Sequence, residues 1–212
     1  MKGKLDVFFD WRTMGINRYI PFLIAVILII YSYIRKDALT HIIPALELTF
    51  PVFAAWWSIF LFQDILEEPG CETVFSYPIK RWQLGIARTA VFFILYMLLM
   101  LIMLFLIDSI CTMSIFIPLT MQLGAEAFFF AGLGFFAMAV TANSGWSLVV
   151  IIVYTSTQIL TRGALFPMFN VFIFNDRLLK LSELWISSGC SLLLGGVLWI
   201  WAQTIFSKFK AQ

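Results

Sequence analysis

Residues Ala90 to Ile107 form an unbroken run of eighteen uncharged, almost wholly apolar residues. As a helix rising about 1.5 Å per residue, such a run crosses most of a ~30 Å hydrocarbon core. A helix bathed in water would need a polar face, and this stretch has none. Comparable runs recur along the chain, which is 62% hydrophobic and only 12% charged. A backbone inside lipid must satisfy its own hydrogen bonds, and segments of this length do so as helices. The sequence therefore reads as an all-α polytopic membrane protein with six transmembrane helices. An N-terminal interfacial helix precedes them, and a re-entrant or interfacial segment lies between spans 5 and 6.

The spans are expected at Tyr19–Ile34, Ile42–Phe62, Ile86–Ile107, Pro118–Val140, Trp146–Thr161 and Leu184–Phe206. The first apolar run lacks a small-residue cleavage site after it and reads as a retained span. Pro44 and Pro51 predict a kink in the second. The tight polar turn Thr141 to Gly145 joins the fourth and fifth. Residues 1–18 place Leu5, Phe8 and Phe9 at i, i+3, i+4, the pattern of a helix lying in the membrane surface, with Arg12 on the same side. Residues 19–212 then form the membrane domain, with a cytoplasmic segment at 64–82. Gly163 to Asn175 is too short to span and too apolar for an ordinary loop, which predicts the re-entrant or interfacial element.

Basic residues set the orientation. With the N-terminus inside, Lys2, Lys4, Arg12, Arg18, Lys80, Arg81, Arg88, Lys208 and Lys210 are cytoplasmic, and Arg35, Lys36, Arg162, Arg177 and Lys180 are not. Nine against five favours both termini in the cytoplasm, which agrees with six spans. A net charge of +2 gives no reason to invoke nucleic acid, and Cys71, Cys111 and Cys190 have neither a C-x-x-C pair nor metal-ligand spacing.

The longest charged stretch on the predicted cytoplasmic side runs from Asp64 to Arg81 and carries bulky Phe75 and Tyr77 among its acids. Two readings stand for it. A plain connector does not need such aromatics, whereas a docking element uses them as anchors in a partner's groove. The order Glu67, Glu68, Gly70, Glu72, Ser76, Pro78, Arg81 resembles the type-2 ATP-binding-cassette permease family. That family carries Glu-x-x-Gly-Thr-x-Glu and then Ser-x-Pro between its second and third spans. Here Cys71 stands where Thr is usual, and Pro69 where a polar residue is common.

The resemblance implies that this segment is a coupling helix seated in a cleft of an ATPase subunit, with Glu67, Glu68, Gly70, Glu72, Phe75, Pro78 and Arg81 as coupling positions. It also implies a homodimer or a heterodimer with a related permease, a bacterial cytoplasmic membrane, and ATP and Mg held by the partner ABC ATPase. The chain itself has no G-x-x-x-x-G-K-[ST] loop to grip nucleotide phosphates, so it is expected to be a transport subunit rather than an enzyme. The implied function is export of a hydrophobic or amphipathic substrate: a peptide (antimicrobial ones included), a lipid or a drug.

Inside the spans, Glu47, Glu126 and Gln158 are the polar candidates for a pathway. An acid at mid-span costs about 2.5–3.5 kcal/mol to insert, so Glu126 is expected to face protein or water. It then either contacts cargo or packs one helix on another. Gln158 and Arg162 are one turn apart and predict a polar stripe, with Arg162 an anchor at the membrane edge. Ala127 and Ala131 have the small-xxx-small spacing of close helix approach. The 23 phenylalanines are expected to be mostly lipid-facing bulk.

Other classes compete less well. The single histidine, His41, rules out H-E-x-x-H, and the topology sets it at the opposite face from Ser144. No self-similarity between halves suggests the inverted repeats of an ion-coupled carrier. A non-transporting immunity or scaffold protein remains the alternative that a docking segment also serves.

Overall fold

The computed structural model describes residues 7–36, 38–67, 80–111, 115–165, 167, 170–174 and 181–208. Six helices in it are long and apolar enough to cross a membrane: Gly15–Ile34, Leu39–Leu66, Gln83–Cys111, Phe116–Thr141, Ser144–Thr161 and Leu184–Lys208. No strand occurs among the described residues. The protein is an integral, multi-pass helical membrane protein. Successive spans reverse direction, which gives the bundle two ends. One holds Arg88, Glu67, Ser144 and Lys208, and is called the Arg88 end; the other holds Arg162, Arg35 and Ile115.

The fourth span is the axis of the bundle. It is buried over most of its length, whereas only a small share of the first, fifth and sixth is buried. Its small residues explain why: Gly132 faces the Trp199 indole of the sixth span, and Gly134 lies against the backbone of Ala55 in the second. Lipid tails are as apolar as leucine, so helices associate here through close packing rather than through expulsion of water. Ala127 and Ala131 are buried on the same helix, as their spacing predicts. The phenylalanines depart from expectation. Phe50, Phe62, Phe92, Phe130, Phe135 and Phe206 are fully buried, and Phe62 stacks on Phe135 at 4.7 Å. They fill the volume that the glycines leave, so much of the aromatic content is core.

The second span is a broken helix. Leu39–Thr49 and Val52–Phe60 are separate helical pieces, and Gln63–Leu66 is a third. Pro51 causes the first break, because it has no N–H to donate and its ring crowds the preceding turn; Pro44 is accommodated inside its helix. At the break the Phe50 carbonyl accepts from the Phe53 N–H at 3.1 Å and also from the Tyr96 hydroxyl of the third span. Tyr96→Phe is therefore expected to lower stability by about 1 kcal/mol. Thermal unfolding in detergent micelles checks this.

The N-terminal helix, Val7–Thr13, exposes Phe8, Phe9 and Arg12 and buries Asp10. Trp11 ties it to the bundle, with ring contacts to Phe22, Trp57 and Phe92 at 6.0, 5.6 and 6.3 Å. The Trp57 indole N–H donates to the Arg18 carbonyl at 3.1 Å, and Arg18 donates to the Trp11 carbonyl at 3.1 Å. After the fifth span the chain turns sharply at Arg162 (φ 48°) and Gly163 (φ 77°). A side chain at Gly163 would strike Asn170, so this turn requires glycine. The chain then re-enters the bundle, burying Val171 and Phe172.

Candidate functional site

Two polar assemblies interrupt the apolar bundle. The first lies at the Arg88 end. Arg88 opens the long helix of the third span two residues before the apolar run, and it is only 3% exposed. Its Nε lies 2.8 Å from Asp10 Oδ2 of the N-terminal helix, and its Nη2 lies 3.2 Å from Asp64 Oδ2 at the end of the second span. One guanidinium thus joins three elements. A buried cation of this kind is stable only when paired and hydrogen-bonded.

Glu67 sits one turn beyond Asp64 and performs a second tie. Its Oε1 accepts from Asn143 Nδ2 at 3.2 Å, and its Oε2 accepts from the Ser144 backbone N–H at 3.0 Å. A carboxylate at that position also meets the positive end of the fifth span's helix dipole. Asn143 is itself the cap of that helix, accepting from the Trp146 N–H at 3.0 Å. On the other flank, Gln203 of the sixth span accepts from the Ile86 N–H at 2.8 Å and donates to the Arg81 carbonyl at 3.4 Å. Gly85 makes this approach possible, because a Cβ there would collide with the Gln203 amide. The third span begins here with a π-helical turn, Gln83–Ala87, a form that relaxes the backbone ladder locally.

Of the predicted coupling positions, Glu67 and Arg81 are thus placed at the same end of the bundle, on the two flanks of the intervening segment. Glu68, Gly70, Glu72, Phe75 and Pro78 lie outside the described residues. The Arg88 network and Gln203 are new. Arg88 had a usable signal, since a charge at the very start of an apolar span demands a partner. Its partners had none, because Asp10 and Asp64 are distant in sequence and follow no period.

The second assembly is within the membrane, toward the Arg162 end. Glu47 is fully buried, and its Oε1 accepts from the backbone N–H groups of Ile173 and, at 3.0 Å, Phe174. Residues 173 and 174 are therefore held down by a carboxylate of the second span. Glu126, 1% exposed, accepts from Gln122 Nε2 at 3.2 Å through Oε1, while its Oε2 has no hydrogen-bond partner. Gln122 is the i−4 neighbour that helical spacing places beside Glu126. Glu126 interacts electrostatically with Glu47 and with Tyr154. The Tyr154 hydroxyl hydrogen-bonds with the backbone of Val171.

Gln158 is 1% exposed, whereas Arg162 is exposed and leaves the helix in a left-handed conformation. The two do not share a stripe: Gln158 turns inward and Arg162 ends the span. A cavity of 310 Å³ lies at this end, lined by Pro44, Glu47, Ile159, Arg162 and Phe174 among others. Of the predicted pathway residues, Glu47 lines this cavity and Glu126 does not, while Gln158 lies one turn from Tyr154 on the fifth span. No metal-binding group of three or more His, Cys, Asp or Glu occurs among the described residues.

No protein-family model, curated protein or solved structure matches this chain.

Proposed function

We propose that this chain is the transmembrane permease subunit of an ATP-driven exporter. In this reading it pairs with a second copy or a related permease and is powered by a separate ABC ATPase that binds ATP and Mg. The cargo is hydrophobic or amphipathic, drawn from the cytoplasm or inner leaflet. The observation that carries the reading is the anchoring of both flanks of residues 68–79. Glu67 ties one flank to the fifth span, Asp64 ties it to the third, and Gln203 of the sixth grips the other. A force applied to this segment would reach the second span directly and the third, fifth and sixth through hydrogen bonds and ion pairs. ATP-driven closure of a partner would in this way bias a helical body between two arrangements.

Charge reversal at Glu72 tests the reading. Glu72→Lys is expected to abolish co-purification of the ATPase or its stimulation by the permease, while membrane insertion is unchanged. A complex with unaltered ATPase activity contradicts it. The buried carboxyls Glu47 and Glu126 favour a second reading, an ion-coupled carrier, because acids inside membrane bundles often mark proton or cation paths. The purified chain in proteoliposomes separates the two. Uptake driven by a pH gradient with no ATPase present would support the carrier and sink the pump.

A further inference from the structure

The third span enters the bundle through the π-helical turn Gln83–Ala87, and a side chain of the sixth span sits inside that turn. Ahead of it the Leu84 N–H reaches the Lys80 carbonyl, four positions back, at 3.3 Å. Two residues later the Ile86 N–H donates to Gln203 Oε1 at 2.8 Å. The carbonyl five positions before Ile86, that of Arg81, accepts from Gln203 Nε2 at 3.4 Å. A π-helical ladder pairs groups five apart, so one side-chain amide spans the two backbone groups that such a ladder would join. A side chain inserted into a helix's own ladder is an identified cause of local distortion. Gly85 makes the seat, because a Cβ there would overlap Gln203 Oε1. Beyond the turn the helix is fixed in rotation, since Arg88 is buried between Asp10 and Asp64. Ahead of it Lys80 and Trp82 are exposed, so any change of register is taken up there.

The amide is held lightly. At 3.4 Å its bond to Arg81 is already longer than the usual range of about 2.7–3.2 Å. Packed helices shift by about 1–2 Å in conformational transitions, and a shift of that size between the third and sixth spans breaks this bond. With the amide gone, the Ile86 N–H has the Trp82 carbonyl, four positions back, as its α-helical partner. A π-turn holds one residue more than the α-turn it replaces. Closing it therefore turns the preceding residues by about 100° and advances them by about 1.5 Å. We infer that Gln203 is a retractable wedge that sets the register of the third span's entry. Seated, it holds Gln83–Ala87 as a π-turn; withdrawn, it lets the turn close and swings Lys80, Arg81 and Trp82 about the helix axis. The switch needs no partner. Its use in passing motion between residues 68–79 and the sixth span rests on the permease reading.

Distances between nitroxide labels on the full chain in nanodiscs test the wedge, with the three native cysteines replaced by serine. A label at Trp82→Cys is measured against one at Trp146→Cys and, separately, one at Ile30→Cys, so that a swing in either direction registers. All three positions are exposed. Gln203→Leu removes the amide, and Gly85→Ala expels it from the other side. In both, the Trp82 label is expected to move on the scale of about 8 Å, the chord of a 100° turn on a helix about 10–12 Å across. A label at the exposed Ile94, beyond the turn, should keep its distances. The double variant should match either single one, because both empty the same notch. Unmoved Trp82 distances would overturn the proposal, and so would equal shifts at Ile94, which mean that the whole span moved. Gly85→Ala adds a better helix former and leaves the packing of the fourth and sixth spans intact, so it decides the matter even if Gln203→Leu does not fold. No ATPase is present in this experiment. Unmoved labels would remove the switch and leave the permease reading to its own test at Glu72, while failure to capture an ATPase would leave a measured swing standing.

Discussion

Arg88→Ala is expected to destabilise the protein by about 3–5 kcal/mol, the cost of breaking a buried ion pair by removing one partner. The side chain is 3% exposed and stands between Asp10 and Asp64 at 2.8 and 3.2 Å. Its loss removes the guanidinium from between two carboxylates, at a site where the Phe62 ring lies 5.9 Å away. Arg88→Lys is expected to recover only part of the loss, because a single ammonium cannot present the guanidinium fork to two acids at once. Adding Asp10→Asn and Asp64→Asn to Arg88→Met should restore much of the stability, since the stranded charges are then gone. Thermal unfolding of the detergent-purified series measures this, and limited proteolysis of residues 7–13 reports release of the N-terminal helix. An unchanged midpoint in Arg88→Ala would mean the network contributes nothing.

Gly134→Ala should be the most damaging of the glycine-to-alanine changes that leave φ negative. A Cβ at 134 would lie 2.7 Å from the Ala55 carbonyl oxygen and 2.9 Å from its Cα. Both are backbone atoms of the second span and cannot rotate aside, so the two helices must separate. Overpacking of this kind costs about 1–3 kcal/mol, and Gly134→Leu is expected to prevent folding altogether. Two other glycines serve as internal controls. At Gly124 the nearest atom is the Met97 methyl at 3.1 Å, the far end of a flexible side chain that moves easily. At Gly189 nothing lies within 4 Å, so alanine there is expected to be neutral or to stabilise by up to about 1 kcal/mol. The expected order of melting temperatures is Gly189→Ala highest, then Gly124→Ala, then Gly134→Ala. Equal values would contradict the fourth span's role as the tightly packed axis.

The spans were legible because hydrocarbon imposes a length and an apolar composition that few other environments demand, and Ala90 to Ile107 meets both. The burial of Val171 and Phe172 after the fifth span was legible for the complementary reason, since their segment is too greasy for a loop and too short to cross. The degree of bending at Pro51 was less so. A proline announces a disturbance, but whether the helix bends or breaks depends on what the neighbouring spans offer its backbone, here the Tyr96 hydroxyl donated to the Phe50 carbonyl. Side-chain direction was the weakest point. Gln158 and Arg162 fall on one side of an ideal helix, yet Arg162 takes φ 48° and leaves that side. Nor does local sequence disclose that Glu47 holds residues 173 and 174, since 126 positions separate the carboxylate from Ile173. Ionic and hydrogen-bonded ties across such gaps obey no period, so a buried charge announces only that some partner must exist.

The inward, partner-bound position proposed for residues 68–79 can be tested at Cys71, with Cys111 and Cys190 replaced by serine. A membrane-impermeant maleimide is expected to leave Cys71 unlabelled in intact cells and to label it in inside-out vesicles, with the ATPase subunit protecting it when bound. Labelling in intact cells would place this segment on the outer surface, where no ATP-driven partner can push on it, and would contradict the proposed coupling.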